Sequence, residues 1–106
     1  MAQSVHFPFL KASVVREAAF SAAGKMYWVD NSTDLIGRAN LDGSSVKDIT
    51  PIGVSGPKDI ALDVAAGKMY WSESTLDRIR RANLDGTNPE DIITGLGNVR
   101  GIALDI

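Results

Sequence analysis

The sequence predicts an all-β chain of two four-stranded β-propeller blades, and three observations carry that prediction. Ala-Ala-Gly-Lys-Met-Tyr-Trp occurs at residues 22–28 and again, letter for letter, at 65–71. Arg-Ala-Asn-Leu-Asp-Gly follows at 38–43 and at 81–86, the same 43 residues further on. Between these landmarks each unit divides into four short segments separated by turn chemistry. Four strands per ~42 residues is the arithmetic of a blade. Helical repeats of similar period fail, because Asp-Gly and Gly-Lys fall where long helices would have to run.

The elements follow in chain order. Residues 1–20 match the repeat poorly and are expected to be peripheral, disordered or a degenerate strand. Within them, residues 14–20 (Val-Val-Arg-Glu-Ala-Ala-Phe) stand in the place of an inner strand, with Glu17 aligned on Ile60 of the repeat. Residues 21–106 hold the two blades. Gly24 and Gly67 open strands whose Met, Tyr and Trp favour a pleated surface. Asn31-Ser32-Thr33-Asp34 and Ser74-Thr75-Leu76-Asp77 read as loops. The next strands, Leu-Ile-Gly-Arg-Ala-Asn-Leu and Arg-Ile-Arg-Arg-Ala-Asn-Leu, are closed by Asp42-Gly43 and Asp85-Gly86, a two-residue hairpin signal. Ser-Val-Lys-Asp-Ile-Thr and Pro-Glu-Asp-Ile-Ile-Thr form third segments. Loops bearing Gly and Pro then lead into Lys-Asp-Ile-Ala-Leu-Asp-Val and Arg-Gly-Ile-Ala-Leu-Asp-Ile. Ile60-Ala-Leu-Asp63 and Ile102-Ala-Leu-Asp105 are 42 apart, so the second unit is one residue shorter between Ile92 and Ile102.

Composition narrows the function classes. A net charge of −2 over 106 residues gives no footprint for nucleic acid. Zero cysteines exclude disulfides, thiolate metal sites and cysteine nucleophiles. No apolar stretch approaches the ~20 residues of a membrane-spanning helix. The first fifteen residues lack the basic and apolar regions of a signal peptide. His6, the one histidine, has no partners nearby in sequence that suggest a catalytic site.

Gly-Lys-Met-Tyr-Trp-Val-Asp, Gly-Lys-Met-Tyr-Trp-Ser-Glu and the paired Arg-Ala-Asn-Leu-Asp-Gly resemble the YWTD repeat of the low-density lipoprotein receptor family, its class B repeat. The order of motifs holds from Gly24 to Ile106, with the motif threonine replaced by Val29 and Ser72 and the acid present as Asp30 and Glu73. The resemblance implies six blades of four antiparallel strands, an innermost Gly-Ile-Ala-Leu-Asp strand, a binding role without catalysis or cofactor, and an extracellular or cell-surface setting.

Two blades leave two apolar sheet faces, each roughly 350 Å² before side-chain roughness. That rivals the largest patch a monomer usually exposes. Counted from Gly24, the segments make eight strands cut between the first and second of a blade, and residues 100–106 are then an orphan inner strand. Three copies supply six blades, and a 120° rotation closes. The sequence therefore predicts a homotrimeric ring. The alternatives are a fragment of a longer YWTD receptor-like protein, or a metal-dependent hydrolase of the six-bladed lactonase kind.

Tyr27, Trp28, Tyr70 and Trp71 recur in both units and are expected to pack between blades. Arg38 and Arg81, with Asn40 and Asn83, share one face by the period of two and are expected to hydrogen-bond across blades. Asp30 and Glu73 are expected to accept backbone hydrogen bonds from adjacent strands. Asp30, Asp34, Glu73 and Asp77 repeat an acid-x-hydroxyl-x-acid spacing that calcium loops also use, although plain turns explain it better. Asn31-Ser32-Thr33 is a glycosylation sequon. Loops carrying Asn31, Asp34, Lys58, Asp59, Asp77, Asn98 and Arg100 should share one rim, where the resemblance implies a protein or peptide ligand.

Overall fold

A computed structural model of the chain describes residues 17–20, as backbone, and 24–105. Among the described residues eight strands lie in order: β1 (Glu17–Phe20), β2 (Lys25–Asp30), β3 (Leu35–Asn40), β4 (Lys47–Asp48), β5 (Pro57–Asp63), β6 (Lys68–Glu73), β7 (Arg78–Asn83) and β8 (Glu90–Ile93). They form two antiparallel four-stranded sheets, β1-β2-β3-β4 and β5-β6-β7-β8. No helix among the described residues is long and apolar enough to cross a membrane.

The alternation of β2 and β6 dictates how the sheets stack. Tyr27, Val29, Ile36 and Arg38 share one face of the first sheet, since Tyr27 lies opposite Arg38 and Val29 opposite Ile36. Met69, Trp71, Ala82 and Ile60 share one face of the second, with Trp71 opposite Ile60 and Met69 opposite Ala82. These two faces meet. Tyr27, Val29, Ile36, Ile49, Ile60, Met69, Trp71 and Ala82 make one buried cluster, with Val54, Leu62 and Leu84 packed around it. The joint therefore takes Tyr from one blade and Trp from the next, which leaves Trp28 and Tyr70 on the opposite faces.

Three features differ from the sequence expectation. First, Glu17–Phe20 pairs with β2, with Ala18 opposite Trp28. Ile60 stands opposite Trp71, so Ala18 is its counterpart and Glu17 answers Asp59; the alignment of Glu17 on Ile60 is off by one residue. Expectations for residues 1–16 lie outside the described residues. Second, residues 101–105 form no strand, and among the described residues no strand pairs with them. Third, the hairpin after β3 is a three-residue loop. Asn40 N donates to Ser44 O and Gly43 N to Asn40 O, both at 2.9 Å, with Gly43 at φ +86°. Asp42 sits inside this turn and only Gly43 takes the left-handed conformation, the arrangement of a type I turn with a bulge. Asn83, Gly86 and Thr87 repeat it.

Gly86 also locks the blades together. A Cβ on it would lie 2.1 Å from Ile49 O of the first blade, at φ +89°. Gly24, at φ +79°, has nothing within 4 Å of its Cβ position. We expect Gly86→Ala to cost about 2–4 kcal/mol, from backbone strain plus displacement of the joint, and Gly24→Ala to cost about 1 kcal/mol. Urea denaturation of both variants measures the difference.

Candidate functional site: the blade joint and the loop rim

Arg38 is the polar link of the joint. Its guanidinium stacks 6.0 Å from the Tyr27 ring centroid, and its Nη1 donates to Leu84 O of the second blade at 3.0 Å. Arg81, its counterpart, stacks 5.8 Å from the Tyr70 ring and turns to Glu90 Oε2 at 2.8 Å. Hydrogen bonds to the Tyr70 hydroxyl and to Glu90 raise its pKa. Position 47, the counterpart of Glu90, is a lysine, so Arg38 has no matching acid in its own blade and reaches outward. Asn40 and Asn83 bond within their own blades: Asn40 accepts from Lys25 and donates to Ser44, and Asn83 accepts from Lys68 at 2.7 Å and donates to Thr87. The expected cross-blade role belongs to neither asparagine, because each points into its own hairpin.

Behind the joint lies an ion-pair cluster that the repeat did not reveal. Glu73 is fully buried; it accepts Trp71 Nε1 at 2.7 Å and pairs with Arg78 Nε at 2.6 Å. Its acceptor role is thus toward side chains, where backbone donors were expected. Arg80 lies 5.6 Å from the Trp71 ring, bonds Asp91 Oδ1 at 2.9 Å and donates from Nη1 to Ile52 O of the preceding loop at 3.0 Å. Arg78 Nη2 donates to Gly53 O at 2.8 Å. Arg78 and Arg80 therefore bind the linker between the blades. The signal was available: Arg78 and Arg80 alternate opposite Glu73 and Trp71, which period-two counting finds.

The first blade has Leu35 and Gly37 where the second has Arg78 and Arg80. The Trp28 indole closes onto Gly37, within 2.5 Å of where a Cβ would stand. A cavity of 160 Å³ opens beside it, lined by Trp28, Asp30, Leu35, Ile36, Gly37, Val46, Lys47 and Asp48. Leu35 and Val46 remain exposed at its rim.

The candidate rim residues are tied by loop hydrogen bonds. Asp34 Oδ1 accepts Gly56 N, and Ser74 N donates to Gly56 O, both at 2.9 Å. Leu96 N donates to Asp77 O at 2.9 Å. Asp59 accepts Ile60 N and Ile102 N through its two oxygens, each at 2.9 Å. Asn31 and Lys58 are half-buried, while Asp34, Asn98 and Arg100 are exposed. Among the possible calcium ligands, Asp30 Oδ1 caps the turn through Ser32 N at 2.9 Å, and Glu73 is neutralised by arginine. Among the described residues, no three acidic or histidine side chains group as a metal site.

Two blade-like sheets joined through unlike faces, with a rim of loops on one side, define a repeat module of the propeller kind. The profile of the low-density lipoprotein receptor repeat class B matches residues 24–64 and 67–106, and the chain belongs to that family. A chain in the crystal structure of a nidogen/laminin complex is similar over 88% of this chain, at 36% identity and a TM-score of 0.79. This chain spans 37% of that one's length. No curated protein matches.

The ion pairs predict a graded response. We expect Glu73→Ala to cost about 3 kcal/mol, because it leaves two arginines without their buried acid. Glu90→Ala, which breaks an exposed pair, should cost under about 1 kcal/mol. Thermal denaturation compares the two. A second prediction concerns acid. Hydrogen bonds from Ser44 hold Asp42 below its ordinary carboxylate pKa, and those from Thr87 do the same for Asp85. Their stabilisation is complete above the ordinary value of 3.8 and is lost as pH falls through the lowered folded value. Replacing both by Asn should flatten the acid limb of a plot of Tm against pH between about 5 and 2.

Proposed function

We propose that the chain is a non-catalytic protein-binding and assembly module, a two-blade unit that three copies complete into a six-bladed ring. One observation carries the assembly: the joint inside the chain is made of two unlike faces, and one of each kind is left outermost. The Trp28 face of the first blade corresponds to the Trp71 face used in the joint, and the Tyr70 face of the second corresponds to the Tyr27 face. Head-to-tail stacking of copies repeats a contact the chain already makes, and such contacts form rings when the rotation closes. Arg81 then stands where Arg38 does, and Leu41, half-exposed at 52%, stands where Leu84 packs. In the ring Arg81 leaves Glu90 for the Leu41 carbonyl of the next copy. The cavity beside Gly37 receives the preceding copy's 94–96 loop, the counterpart of the segment that Arg78 and Arg80 hold.

The ligand face is the loop rim carrying Asn31, Asp34, Lys58, Asp59, Asp77, Asn98 and Arg100. Its support is the cross-linking of those loops to the blade edges, which fixes the rim without using the outward surface of Asn98 or Arg100. The partner class is a protein or peptide, in keeping with family membership and with the similar chain having been solved in a complex between proteins.

Analytical ultracentrifugation tests the assembly. The expected species has three times the 11.3 kDa chain mass. Sedimentation at a single chain mass at every concentration would contradict it. Arg81→Met should shift the association midpoint at least ~10-fold, the loss of one charge-assisted hydrogen bond per joint.

A further inference from the structure

The corrected register shows three copies of one strand pattern, evenly spaced by 42: Glu17-Ala18-Ala19-Phe20, Asp59-Ile60-Ala61-Leu62 and Gly101-Ile102-Ala103-Leu104. The first two are the opening strands of the two sheets. The third belongs to neither sheet among the described residues.

That third segment is nevertheless already set like an opening strand. Two positions of the loop before it take the left-handed conformation that their counterparts before β5 take: Gly95 and Asn98 have φ +75° and +54°, where Gly53 and Gly56 have +84° and +65°. Asparagine is one of the few residues that adopt this conformation without glycine's freedom. The segment is anchored on the second blade by Ser72 Oγ to Arg100 O at 2.6 Å and by Ile102 N to Asp59 Oδ2 at 2.9 Å. It thus lies beside β5, and among the described residues no strand pairs with it. Exposed strand edges recruit further strands.

We propose that residues 101–105 add to β2 of a second copy and displace that copy's β1, so that copies are joined by strand exchange. This deepens the ring reading and rests on it for the number of copies, but the slot on β2 is defined by the register alone. Ile102 would stand opposite Trp28, Ala103 opposite Tyr27 and Leu104 opposite Met26, as Ile60, Ala61 and Leu62 stand opposite Trp71, Tyr70 and Met69. Asp105 would face Lys25 as Asp63 faces Lys68, an opposite-charge cross-strand pair. The incoming strand brings Ile where β1 has Ala18, three more carbons to bury against the Trp28 strand. β1 keeps the advantage of belonging to the same chain, so exchange depends on concentration.

The experiment uses the full chain, its Ile102→Asp variant and a fluorescein-labelled peptide of residues 98–106. Ile102 is only half-buried in the single chain, so the variant keeps both blades; its far-ultraviolet circular dichroism should match wild type. If wild type sediments as a ring, Ile102→Asp should raise the association midpoint at least tenfold. A ring that persists in the variant overturns strand exchange and leaves the ring reading standing. If wild type sediments as one chain, the ring reading fails and the peptide decides. Saturable binding that the Ile102→Asp peptide lacks supports the slot on β2, and no binding overturns it.

Discussion

A propeller blade is a sheet with two apolar faces, and neither face tolerates water. Everything else in this structure follows from that constraint. The strands do not alternate apolar with polar; Met26, Tyr27, Trp28 and Val29 are consecutive and all buried. Tyr27 and Val29 are covered by the second blade, so the sheets stack through that face. The stacking is directional because the faces differ: Tyr, Val, Ile and Arg on one side, Met, Trp and Ala on the other. Unlike faces produce a polar series of blades, open at both ends until a ring closes it.

The polar groups serve the same stacking. Arg38 crosses the joint to a backbone carbonyl, and Arg78 and Arg80 hold the linker that carries the chain from one blade to the next. Glu73 is affordable at zero exposure only because two arginines and an indole N–H surround it. The glycine turns add steric fit, with Gly86 seated on the Ile49 carbonyl. The binding role proposed for this module draws on what the stack leaves free, namely the loop rim and the end faces.

Much of this was legible in the sequence, for specific reasons. Seven identical letters and a shared Arg-Ala-Asn-Leu-Asp-Gly fix the repeat, and period two then places Tyr and Trp on opposite faces. Other features were hidden. Ala18 carries no trace of the Ile it replaces, so the first strand was aligned one residue out, and only pairing with β2 reveals its register. Asp-Gly is read as a two-residue turn unless the bond from Asn40 to Ser44 is known. Asn40 and Asn83 lie on the same face as Arg38 and Arg81, yet short side chains reach only their own hairpins. The cleft at Gly37 is invisible in either unit alone; it emerges when Gly37 is set against Arg80 in the same register position. Loop order suggests a shared rim, but hydrogen bonds through Gly56, Asp59 and Asp77 join residues too far apart in sequence for any pattern to reveal.

Stability and assembly are one quantity if the end faces must be covered. The direct measurement is Tm as a function of protein concentration, at fixed pH and salt. The account predicts that Tm rises with concentration, since the folded state binds further copies and the unfolded state does not. A Tm that stays constant over a hundredfold range, in a chain that sediments as a single copy, would contradict it.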